Sequence, residues 1–151
     1  MPLQGKRIFI TGGAGFIATT LARLLVDENE VVALDNLHRD ALSATELREH
    51  PNFAFHQADV LDRDALAEIA RGATHIVHCA AIAGVDTVRE SPVRTMRVNM
   101  IGTYNALEVE ALPTKKSYVP FGTRKVIVVV FEPFWETFWQ AGTTTAGASP
   151  P

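Results

Sequence analysis

Residues Ile10 to Thr19 read "ITGGAGFIAT", three glycines and two alanines set where an apolar run gives way to an amphipathic one. Upstream, "KRIFIT" (6–11) is β-branched and aromatic, the pattern of a short buried strand. Downstream, Ala14 to Asp27 carries Phe16, Ile17, Leu21, Leu24 and Leu25 at helical spacing, which predicts a helix with those residues on its apolar face, ending at the acidic "DENE" (27–30). A strand, a bare turn and a helix in that order bring backbone N–H groups and the positive end of a helix dipole to one point, where any side chain would hold an anion away. In that arrangement Gly12 supplies the tight turn, Gly15 the close approach to a pyrophosphate, and Ala18 a small contact where helix meets strand.

A plain tight connection without a ligand would use the same residues, so the surrounding sequence has to separate the two readings. The second strand, "VVAL" (31–34), closes at Asp35, about twenty residues beyond the glycines, where a carboxylate accepts both ribose hydroxyls of a dinucleotide. The same charge repels a 2′-phosphate and favours NAD over NADP, while Arg39 nearby argues the other way. The alternation continues: "DALSATELREH" (40–50) is predicted helical, "NFAFHQ" (52–57) extended, "DRDALAEIARG" (62–72) helical with Asp62 as N-cap, and "THIVHCAA" (74–81) extended. A long helix is expected from Val93 to Ala111 with Met96, Val98, Ile101, Tyr104 and Leu107 as its apolar positions, and "KVIVVVF" (125–131) is a fifth strand, apolar on both faces. Parallel neighbours need crossovers, so the expected class is α/β: a Rossmann-type doubly wound parallel sheet of about five strands, order 3-2-1-4-5.

A chain of 151 residues, 47% hydrophobic and 21% charged, suits one domain, placed at residues 1–131 with an irregular tail over 132–151. Its net charge of -3 lacks the basic excess that marks nucleic-acid or anionic-membrane partners. "MPLQGKRIFITGG" reaches the glycine turn too soon for a signal peptide, no apolar run has transmembrane length, and the lone Cys79 excludes an internal disulfide, so a cytoplasmic location follows by elimination. His38, His50, His56, His75 and His78 do not pair at ligand spacing on one helix, and no metal site is expected. Cys79 follows an apolar strand without an adjacent cation, which suits a buried structural thiol better than a nucleophile. The final "EPFWETFWQAGTTTAGASPP" (132–151) reads either as an aromatic partner-binding patch or as a segment without a native fold.

Taken in order, "TGGAGFIA" (11–18), "ALDNL" (33–37), "ADVLD" (58–62), "HCAAIAGVDTVRESP" (78–92) and "VNMIGTYNALE" (98–108) resemble the extended short-chain dehydrogenases, the NAD-dependent epimerase and dehydratase family acting on nucleotide sugars. The resemblance covers roughly residues 6–108, and Ala18 stands where the family usually has glycine. It implies that Phe16 and Ile17 lie beside the pyrophosphate, that Asp35 and Asn36 hold the adenosine ribose, and that Asp59 and Val60 flank adenine. It further implies that Cys79, Ala80 and Ala81 line the cofactor and that Asn99 matches a helix asparagine used near the active site. Such enzymes oxidise a sugar hydroxyl with a Tyr whose phenolate is favoured by a Lys four residues on, because a phenol of pKa about 10 is otherwise no base near neutral pH. Here Tyr104 is followed at that spacing by Glu108 and Tyr118 by Gly122, and "FEPFWETFW" (131–139) stands where a Ser-rich turn and the Tyr are expected. The expected function is therefore the NAD-binding portion of a nucleotide-sugar epimerase or dehydratase. It looks C-terminally truncated, without catalytic helix or substrate lobe, and incomplete as a catalyst alone. The alternative is an NAD-responsive binding or regulatory module docking through its aromatic tail. The uncharged, β-favouring run from Val126 to Phe131 as a sheet edge also leads to an expectation of self-association or a dimer.

Overall fold

The computed structural model describes residues 3–111 and 125–128. Five short apolar segments become strands: β1 (Arg7–Thr11), β2 (Glu30–Asp35), β3 (Phe53–Gln57), β4 (His75–His78) and β5 (Lys125–Val128). They pair side by side and in parallel, in the order β3-β2-β1-β4-β5, as the alternation predicts. Strand periodicity divides the core. Ile8, Ile10, Val31, Ala33 and Val77 point to one face, and Phe9, Val32, Leu34 and Ile76 to the other. The first face is covered by α1 (Phe16–Leu25) and by Leu42 and Leu47 from the β2–β3 crossover; the second by α2 (Arg63–Ile69) and the helix that precedes β5. Asp62 caps α2 as expected, its Oδ1 accepting from the Ala65 N–H at 3.1 Å. The segment 129–131 of the expected fifth strand, the boundary at residue 131 and the aromatic tail lie outside the described residues.

Three expectations are corrected. Residues 40–50 form no α-helix but two 3₁₀ turns, Leu42–Ala44 and Glu46–Glu49. Short polar side chains compete with the backbone here: Asp40 accepts from the N–H and hydroxyl of Ser43. Thr45, extended at φ -130 and ψ 158, accepts from the Leu47 N–H and donates to the Leu42 carbonyl. In α1 the fully buried residues are Ala18, Thr19 and Ala22, with the expected Leu21 and Leu25 part-buried against the same core, whereas Phe16 and Leu24 are each 78% exposed. Small residues win because they let the helix axis approach the strands.

The long helix forms as α4 (Pro92–Met96), a π turn (Arg97–Ile101) and α5 (Gly102–Ala111), and a separate short helix, α3 (Val85–Glu90), precedes it, divided from it by Ser91 at φ -142 and ψ 64. Its buried face is mostly the small one: Gly102, Ala106 and Val109 with Asn105 lie inward and the expected Val98 packs part-buried beside them, while Met96, Ile101, Tyr104 and Leu107 are exposed. A Cβ on Gly102 would sit 2.8 Å from Val60 Cγ1, so any larger residue there requires the Val60 side chain to shift. The π turn adds a residue to one turn and rotates the helix, which a fixed 3.6-residue count does not anticipate.

Candidate functional site

In this sheet the chain reverses its direction of winding between β1 and β4, and the crevice beyond their carboxyl ends is where such folds take ligands. A cavity of about 510 Å³ opens there, within the range of small-molecule sites. The glycine turn forms its floor. Gly12 has φ +68, and a Cβ there would lie 2.6 Å from Ala80 N and from the Cys79 carbonyl carbon, so the turn is pressed against the loop after β4. Gly15 heads α1 in an ordinary extended conformation with no side-chain cap, leaving the first-turn N–H groups open to an anion. Gly13, which the sequence reading passed over, makes the tightest approach to β2: a Cβ would be 2.5 Å from that of Ala33.

Asp35 ends β2 at the cavity wall. Its Oδ2 accepts from the Ala14 N–H at 3.1 Å and its Oδ1 from the Leu37 N–H at 2.7 Å. Burial pushes its pKa above the usual carboxylate value, these two N–H bonds pull it back, and Asp40 nearby adds to the rise. Leu37 is held at φ 62, the one non-glycine residue with positive φ among those described. Arg39 reaches to the opposite wall and donates to the Ala83 carbonyl at 3.4 Å.

Of the residues singled out from sequence, Gly12, Gly15, Phe16, Ile17, Asp35, Asn36, Val60, Cys79, Ala80 and Ala81 line this one cavity. Asp59 does not. It lies in an adjoining groove with Arg94 and Arg97, accepts from the Leu61 N–H at 2.9 Å, and receives Asn36 Nδ2 at 3.4 Å. Asn99 is also outside the lining, because its amide is spent on the backbone of Ile82: Nδ2 donates to the carbonyl at 3.0 Å and Oδ1 accepts from the N–H at 2.8 Å. That pair ties the π turn to the cavity wall. Burial raises the Cys79 thiol to about 11, which suits a wall residue and not a nucleophile. Thr87, Arg94 and Val98 reach the lining from α3, α4 and the π turn. No local pattern announces them, since only the helix's path back over the sheet brings them in. No group of three or more His, Cys, Asp or Glu able to hold a metal ion occurs among the described residues.

The profile of the NAD dependent epimerase/dehydratase family matches residues 8–142. The chain belongs to this family. The match runs beyond Glu108, where the recognisable motifs stop. The chain is similar to the dTDP-glucose 4,6-dehydratase of Neisseria gonorrhoeae, 32% identical over 128 residues, covering 77% of this chain and 37% of that protein. Among solved structures it resembles a UDP-N-acetylglucosamine 4-epimerase from Methanobrevibacter ruminantium M1 in complex with UDP-N-acetylmuramic acid. The TM-score is 0.66 at 27% identity, over 71% of this chain and 34% of that one. A UDP-glucose 4-epimerase from Brucella ovis in complex with NAD superposes with a TM-score of 0.61 at 30% identity, over 70% of this chain and 32% of that one. This chain thus spans well under half the length of these relatives.

Proposed function

We propose that this chain holds NAD in the cavity beyond β1 and β4 as the cofactor-binding part of a nucleotide-sugar epimerase or dehydratase, and does not complete the reaction by itself. The observation that carries the reading is the glycine turn: a backbone without side chains, packed against Ala80 at one side and opening into an uncapped helix N-terminus at the other. The pyrophosphate is assigned to the first turn of α1 at Gly15, Phe16 and Ile17, where N–H groups and dipole meet an anion. The adenosine ribose is assigned to Asp35, whose two oxygens are already oriented by the Ala14 and Leu37 N–H groups and keep lone pairs for its hydroxyls. Asn36 is assigned to the ribose with Asp35, and it donates to Asp59, which with Val60 is assigned to the adenine end. Cys79, Ala80 and Ala81 form a small-residue wall along the cofactor.

Bound NAD would supply a hydride acceptor for a sugar carbon. Removing the hydroxyl proton needs a base, and no tyrosine in this sequence has a lysine four residues later. The family membership and the nucleotide sugars named for its relatives support that substrate class. Cys79 as a free thiol suits a reducing compartment, and no helix of the described residues is long and apolar enough to cross a membrane.

Isothermal titration calorimetry with NAD and NADP tests the reading. NAD should bind more tightly, since a 2′-phosphate would meet the Asp35 carboxylate; equal affinities, or no binding, overturn it. Asp35→Ala should weaken NAD by about 1.5–3 kcal/mol, the worth of a hydrogen bond to a charged acceptor.

A further inference from the structure

Immediately before each of two cavity-lining segments lies a buried polar residue that does not itself line the cavity: Thr11 before Gly12, and His78 before Cys79. Thr11 Oγ1 is 2.6 Å from His78 Nδ1, and His78 Nε2 is 3.0 Å from Thr103 Oγ1 at the start of α5. Thr103 Oγ1 in turn donates to the Asn99 carbonyl at 2.6 Å. A carbonyl only accepts, so the Thr103 hydroxyl hydrogen is committed there, and its oxygen must accept from His78. Nε2 therefore carries the imidazole proton. Nδ1 is then a lone-pair acceptor, and the Thr11 hydroxyl donates to it. Thr11 Oγ1 keeps a lone pair toward the Ala80 N–H, 3.4 Å away. Every group in the chain has one consistent direction, from Ala80 through Thr11 to His78, and from His78 through Thr103 to Asn99.

We propose that His78 is a positioning residue of the cavity: a neutral imidazole, protonated on Nε2, that locks the glycine turn and the Cys79–Ala83 wall to the π turn carrying Asn99. The inference rests on the reading of the cavity as an NAD site. Asn99 grips Ile82 in that same wall, so the wall is held at two points, by Thr11 and Ala80 at its start and by Asn99 at Ile82. His78 is the piece that joins the two. A displaced π turn would carry Ile82 with it, and the wall would no longer match a dinucleotide seated on the glycine turn.

Thr103→Val removes the helix end of this chain without touching a cavity-lining residue, and Thr103→Ser restores the hydroxyl. In Thr103→Val the hydrogen exchange of the Ile82 amide should accelerate, and NAD affinity should fall about 3- to 10-fold, the range for one lost hydrogen bond. Thr103→Ser should return both to the unmodified values. Nitrogen-15 NMR of the unliganded protein should show His78 protonated at Nε2 and bare at Nδ1. An Nδ1-protonated tautomer, or Ile82 exchange unchanged in Thr103→Val, overturns the proposal whether or not NAD binds. Failure of the unmodified chain to bind NAD overturns the cofactor reading instead and with it the role of His78 there. Unchanged affinity in a folded Thr103→Val overturns the coupling alone.

Discussion

Replacing Gly12 with alanine tests whether the turn is bare for the protein's own sake or for a ligand's. The residue sits at φ +68, where an L side chain is strained by roughly 1–2 kcal/mol. Its new methyl would lie 2.6 Å from Ala80 N and the Cys79 carbonyl carbon and 2.8 Å from Ala80 Cα, all backbone atoms that cannot swing aside. Overpacking of that kind costs about 1–3 kcal/mol. Gly12→Ala should therefore lose about 2–5 kcal/mol of stability, a drop in Tm of roughly 5–15 °C for a domain of this size. Gly15 is the contrast. Its φ of -69 is ordinary, and a methyl would meet only the Gly12 carbonyl oxygen at 3.1 Å. Gly15→Ala should stay within about 1 kcal/mol of the unmodified protein, the scale of an N-cap change, yet bind NAD at least about tenfold more weakly because its methyl stands where the pyrophosphate approaches. Urea unfolding followed by circular dichroism, with calorimetry on the folded variants, measures both. A Gly12→Ala protein as stable as its parent would refute the packing argument, and undiminished NAD binding by Gly15→Ala would refute the assignment of the anion to that turn.

Burial holds His78 at about 4, against 6.5 for a free imidazole, so between those values the unfolded chain takes up a proton that the folded one does not. Stability should fall as pH drops through that window, by about 3 kcal/mol in all at about 1.4 kcal/mol per unit; urea titrations should show this slope reduced in His78→Gln, and identical slopes would refute the buried neutral imidazole. No sustained epimerase, dehydratase or dehydrogenase turnover on nucleotide sugars is expected with added NAD, because the missing base is worth about 10²- to 10⁴-fold; turnover that survives rigorous purification would show that another residue does the work. Among the described residues β5 pairs only with β4, and "KVIVVVF" is uncharged beyond its lysine, so Val128→Lys should reduce self-association. Light scattering at matched concentration checks it, and a monodisperse monomer for the unmodified chain would contradict the edge argument.

The strand order, the glycine turn and Asp35 were legible in the sequence because each rests on local chemistry. Alternating βα patterning leaves few topologies for a parallel sheet, and a bare turn followed by a carboxylate at the end of the next strand has a narrow set of uses. Asp62 as a cap was legible for the same reason. What local pattern could not decide was which side of a helix goes inward. In α1 and in the run from α4 to α5, Phe16, Leu24, Met96, Tyr104 and Leu107 stay outside, and Ala18, Ala22, Gly102 and Ala106 face the sheet, because axis-to-strand distance outweighs side-chain size. The tertiary structure alone placed Asn99 on the Ile82 backbone and His78 between Thr11 and Thr103, since those partners are separated in sequence by 17, 67 and 25 positions. A hydrogen bond between residues so far apart depends on how the sheet and the π turn bring their backbones together, and no spacing along the chain encodes that distance.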